Sequence, residues 1–78
     1  MPHISVKMLK GRTPEQKKKV AEACQKAAMA SLGIGETYVT VSVEDFTAQE
    51  WQDVFKEEVT DKGDSVLVKA KYDPKSLL

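Results

Sequence analysis

Cysteine and histidine are almost missing from this chain of 78 residues: Cys24 and His3 are the only ones. A disulfide within the chain is therefore excluded. One thiol and one imidazole also fall short of the four-ligand set of a structural zinc site, so no metal is expected. Charge of one sign is missing too, since eleven lysines and Arg12 meet twelve Asp and Glu for a net charge of zero. That balance excludes the basic surplus of a nucleic-acid binder. Apolar stretches run for only a few residues, so no segment is expected to span a membrane. The opening Met-Pro-His-Ile-Ser-Val lacks the charged and apolar regions of a signal peptide, and the cytoplasm is the expected compartment.

What is present is pattern. Hydrophobic residues make up 41% of the chain, too many and too regularly spaced for a disordered protein. A chain of this length buries only ~60–65% of its unfolded surface. With disulfides and metal excluded, association with other subunits is the expected source of the missing stability. There is no internal repeat, linker or low-complexity stretch, and residues 1–78 read as one domain.

His3 to Leu9 alternates as a strand, with Ile4, Val6 and Met8 on one side and His3, Ser5, Lys7 and Leu9 on the other. Gly11 breaks it. Thr13-Pro14-Glu15-Gln16 predicts a helix start: Thr13 caps, Pro14 suits the first helical position and Gln16 completes a capping box. Val20, Ala23, Cys24, Ala27, Ala28 and Leu32 follow at three-to-four spacing as the inner stripe, and Gly33 ends the helix. Tyr38 to Glu44 alternates again through Val39, Val41 and Val43. Strand, helix and strand with short loops form a βαβ unit of an α/β fold, with parallel strands and a right-handed crossover. Such a unit leaves one sheet face and both edges open, which parallel sheets normally cover.

Thr47-Ala48-Gln49-Glu50 is a second capping box. Trp51, Val54, Phe55 and Val59 continue it at helical spacing, and Gly63 stops the second helix. The tail from Ser65 to Tyr72 alternates weakly and fits a short strand or an extended arm. Asp73-Pro74 should end regular structure, with the last four residues loose.

The chemistry-bearing feature is Pro2. Removal of Met1 would leave Pro2 as a secondary amine able to take and return a proton near neutral pH. With Met1 retained, the same nitrogen is a tertiary amide without basicity. His3 beside it reads as structural or interfacial, Cys24 as a core residue, and Lys17-Lys18-Lys19 as a solvated helix face. Asp45, Glu50 and Asp53 show no spacing that demands acid–base work.

Pro2, the strand Ile4–Leu9, Gly11-Arg12, the Glu15-Gln16-Lys17 helix start and Leu32 together resemble the 4-oxalocrotonate tautomerase family over residues 2–46. Trp51-Gln52, Glu58 and Lys69 to Tyr72 make the second half similar to the longer subgroup of phenylpyruvate tautomerases. The resemblance implies a βαβ protomer that pairs into a four-stranded sheet with two helices on one face. It implies a cofactor-free keto–enol tautomerase acting on the enol of a small-molecule 2-oxo acid such as phenylpyruvate, with Pro2 as general base and acid. Arg12, the chain's one arginine, takes the place of a residue that binds a substrate carboxylate, often in a neighbouring subunit's site. Leu9 is expected to line the pocket or offer its backbone. Trp51 stands where type members carry a pocket phenylalanine, as an aromatic wall or equally as a core or interface anchor of the second helix. Thr40 stands where they carry a second arginine, which argues against a diacid substrate. Hydration or decarboxylation at the same proline, or a dimeric scaffold without turnover, are the competing readings. The second helix and longer tail replace the terminal hairpin of the hexameric type members, so a homodimer is expected rather than a hexamer.

Overall fold

The computed structural model describes residues 1–78, which form two compact units, Met1–Asp45 and Phe46–Leu78. Strand β1 (His3–Leu9) leads into helix α1 (Pro14–Leu32), and a single turn of 3-10 helix at Glu36–Tyr38 precedes strand β2 (Thr40–Phe46). Helix α2 (Ala48–Phe55) continues as a wider, π-type turn over Lys56–Thr60, and short 3-10 turns follow at Gly63–Ser65 and Pro74–Leu77.

The two strands pair directly. His3 meets Thr40 and Lys7 meets Glu44, both 37 positions apart. A constant offset means that the strands run parallel, as the βαβ pattern requires.

Both capping boxes form as the sequence dictates. At the head of α1 the Gln16 amide donates to Thr13 Oγ1 at 3.1 Å, while the Thr13 amide donates to Gln16 Oε1 at 2.9 Å. At α2 the Glu50 amide donates to Thr47 Oγ1 at 3.1 Å, and the Thr47 amide to Glu50 Oε1 at 2.7 Å. Each box satisfies two helix-end donors, and its hydroxyl contributes about 1 kcal/mol. Gly33 ends α1 at φ 66°, a left-handed conformation that glycine adopts without a Cβ penalty.

The inner stripe of α1 differs from the predicted one. Ala23, Ala27 and Leu32 are exposed, whereas Lys17, Val20, Ala21, Cys24, Gln25, Ala28 and Met29 are half-buried. The stripe is rotated so that Lys17 joins it, and its ammonium pairs with the half-buried Asp45 near the end of β2. Lys17 is thus a tie between helix and strand rather than part of a solvated lysine face. With so many small residues in α1, apolar spacing alone left the facing direction underdetermined.

The core of the first unit is as thin as the chain length predicted. Val39 is the one buried residue, at 7% exposure, and no side chain is fully enclosed. On β1, β2 and the residue just before β2, the alternation puts Ile4, Val6, Met8, Val39, Val41 and Val43 with Asp45 toward α1. His3, Ser5, Lys7, Thr40, Ser42 and Glu44 occupy the opposite sheet face. That open face is polar, and hydrogen bonds and a Lys7–Glu44 ion pair at 3.2 Å cross it.

In the second unit the tail is neither strand nor loose end. Leu67 and Val68 stay exposed, and no strand forms between Ser65 and Tyr72. The chain instead returns to α2 through side chains. The Trp51 indole N–H donates to the Tyr72 hydroxyl at 3.0 Å, and Gln52 Nε2 donates to the Pro74 carbonyl at 2.9 Å. Tyr72 also meets Phe55 edge-on, with ring centroids 5.6 Å apart. Asp73 then caps the last turn, accepting from the Lys75 amide at 2.9 Å, and Pro74 occupies its first position. Asp-Pro starts structure here instead of ending it, because it supplies both a cap and a preset φ.

Candidate active site

Pro2 stands immediately before β1 and is half-buried. Its carbonyl accepts a hydrogen bond from the Thr40 amide at 3.3 Å, so the residue is carried in register with the start of β2. Thr40 also reaches the next residue: its Oγ1 lies 2.7 Å from His3 Nδ1. Ser42 Oγ closes the group at 3.4 Å from His3 Nε2. His3 is thus a cross-strand tie, as its structural reading expected. The tie itself was not anticipated, although hydroxyls two positions apart on β2 were its visible signal.

Leu9 closes β1 at the far end, half-buried, and Arg12 follows in the exposed loop before α1. Gly11, at φ 127°, makes that turn in a conformation other residues rarely adopt. Arg12 takes part in no ion pair within the chain, which leaves its guanidinium open to an external carboxylate. β1 has seven residues; at about 3.3 Å each, roughly 23 Å of strand separates the Pro2 end from the Leu9–Arg12 end. Within one chain, Pro2 and Arg12 do not meet on one small molecule.

Trp51 belongs to the second unit. Its indole is held by Tyr72, with Phe46 at 6.5 Å between ring centroids. A hollow of about 180 Å³ in the first unit is lined by Ala21, Glu22, Gln25, Val39 and Val41, and by none of the predicted site residues. The Glu22 carboxylate on its wall disfavours an anionic substrate there. The ammonium of Lys56 is raised above its ordinary range by its hydrogen bond to Asp61 and then by that residue's charge, at the exposed end of α2.

Residues 2–61 match the family described as Tautomerase enzyme. A probable tautomerase of Xylella fastidiosa (strain 9a5c) is 34% identical over 73 residues, covering 92% of this chain and 89% of that one. The 2-hydroxymuconate tautomerase of Bacillus subtilis (strain 168) is 40% identical over 45 residues, 58% of this chain and 73% of that one. Among solved structures, TomN, a 4-oxalocrotonate tautomerase homologue of the tomaymycin biosynthetic pathway, superposes with a TM-score of 0.61 at 36% identity. The match covers 64% of this chain and 77% of TomN. YwhB, another 4-oxalocrotonate tautomerase homologue, gives 0.58 at 36% identity over 60% of this chain and 77% of its own.

Proposed function

The chain belongs to the 4-oxalocrotonate tautomerase family and is a tautomerase, and from that premise we propose that Pro2 is its general base and acid. Once Met1 is removed, the Pro2 nitrogen accepts the hydroxyl proton of an enol. The O–H electron pair becomes the second bond of the C=O, and the electrons of the C=C take a proton at carbon from the prolinium. The base is regenerated and no cofactor is consumed. The observation that carries this reading is the position of Pro2, half-buried at the mouth of a paired strand with its carbonyl held by Thr40.

The substrate we assign is the enol of a 2-oxo acid, with an aryl acid such as phenylpyruvate favoured. Arg12 binds its carboxylate, and Leu9 and Trp51 serve its apolar part. Because roughly 23 Å of strand lies between Pro2 and the turn that carries Arg12, the arginine that meets a given Pro2 comes from a second copy of the chain. The active species is accordingly a homodimer, and light scattering should give a mass of two chains.

Replacing Pro2 by Ala, assayed as ultraviolet loss of enol, tests the central claim. A positioned acid–base group contributes roughly 10²–10⁴-fold, so kcat should fall by that range with the circular dichroism spectrum unchanged. Protein whose intact mass shows retained Met1 should be equally inactive. An unchanged rate in the Ala variant would refute the role of Pro2.

A further inference from the structure

Pro2 hangs from the first peptide plane of the sheet, and one residue of β2 grips both sides of that plane. The Thr40 amide donates to the Pro2 carbonyl, and the Thr40 side chain holds the His3 ring, which Ser42 meets from the other nitrogen. The pyrrolidine ring fixes its own φ. The orientation of its nitrogen is then set by the peptide plane and by one remaining torsion, at a residue that is half-buried.

We infer that Thr40, acting through His3 and supported by Ser42, is a positioning residue that aims the Pro2 nitrogen at the reacting enol. The inference rests on the reading of Pro2 as base. Its chemistry suits a fixed scaffold. A hydroxyl both donates and accepts, so Thr40 and Ser42 can satisfy either tautomer of the imidazole, and the ring stays held whichever nitrogen carries the proton. The 2.7 Å contact to Nδ1 is the shorter of the two and stands on the residue that also binds the Pro2 carbonyl. Thr40 is therefore the centre of the group and Ser42 its support. None of the three residues needs to touch substrate.

The experiment compares Thr40→Val, Thr40→Ser, His3→Phe and the Thr40→Val/His3→Phe double variant with the parent chain. Valine keeps the backbone amide and the β-branched shape and removes only the hydroxyl. Displacement of a reacting group is felt strongly in rate, so Thr40→Val should lower kcat about tenfold with KM unchanged, and Thr40→Ser should restore it. His3→Phe should cause the same loss. The double variant should be no slower than the worse single one, because both remove one tie. Glu44→Gln, which breaks the Lys7 ion pair on the same sheet face, should leave kcat unaltered.

Full kcat in Thr40→Val, a change confined to KM, or losses that multiply in the double variant would overturn the assignment. Nuclear magnetic resonance relaxation of the Pro2 ring carbons separates this outcome from failure of the proline reading. If Pro2→Ala is fully active, the base is elsewhere. The clamp is then still decided by whether Thr40→Val makes the Pro2 ring more mobile, as expected, or leaves it unchanged, which would refute it.

Discussion

The two units of this chain hold together by different means. In Met1–Asp45 the backbone does most of the work: a parallel ladder with a constant offset, a capped nineteen-residue helix and a stripe of apolar side chains closed by the Lys17–Asp45 pair. In Phe46–Leu78 a helix of eight residues carries a tail with no regular pairing, and the tail is fastened by side-chain tips, Trp51 to Tyr72 and Gln52 to Pro74. A ladder is laid down by periodicity and resists single changes, because each residue contributes a little. A clasp of a few polar contacts depends on individual atoms. The proposed proton-transfer residue sits on the ladder side, where a backbone hydrogen bond can hold it.

That contrast can be probed without labels, since Trp51 and His3 are the only residues of their kinds and each reports on one unit. After the proline itself, the largest effect should come from Arg12 in the first unit. Arg12→Ala removes hydrogen bonds to a charged group worth ~1.5–3 kcal/mol, so KM for a carboxylate-bearing enol should rise roughly ten- to a hundredfold. An enol without a carboxylate should show no change. An equal loss on both substrates would make Arg12 a structural residue of the Gly11 turn.

A somewhat smaller effect is expected at Val39, the buried centre of that unit. Val39→Ala loses two buried methyl groups and leaves a cavity, about 2 kcal/mol together. Denaturant unfolding followed through the His3 ring proton should shift to lower midpoint. If Trp51 emission shifts in parallel, the two units unfold cooperatively; if it does not, they melt separately.

The smallest effect belongs to the clasp. Tyr72→Phe keeps the edge-on contact with Phe55 and deletes only the acceptor of the Trp51 indole. Loss of one hydrogen bond costs about 1 kcal/mol or less in so exposed a place. Tail amides after Val66 should exchange faster and Trp51 emission should change, with the His3 signals unaffected. A response in His3 as large as that in Trp51 would erase the distinction between the units.

How much of this was legible in advance follows the same division. The bounds of β1, both capping boxes and the Gly33 stop were readable, because strand alternation and helix caps are local: the cap bonds join residues within four positions of one another. The second strand was expected at Tyr38–Glu44 and runs Thr40–Phe46, since Glu36–Tyr38 coil into a 3-10 turn first. Pro2 and Arg12 were legible as chemical types, and seven residues of strand sufficed to place them at opposite ends.

The tertiary structure decided the rest. Which way α1 faces was settled by the Lys17–Asp45 pair, partners 28 positions apart, and not by alanines that suit either side. The polar character of the open sheet face required the register between strands, which alone shows that His3 stands beside Thr40 and Ser42. The tail fold depended on where the Tyr72 hydroxyl and the Pro74 carbonyl arrive in space. Local bonding is written in adjacent residues and can be read there. Contacts between distant residues exist only once the chain has closed its loops, and no local pattern fixes which partner meets which.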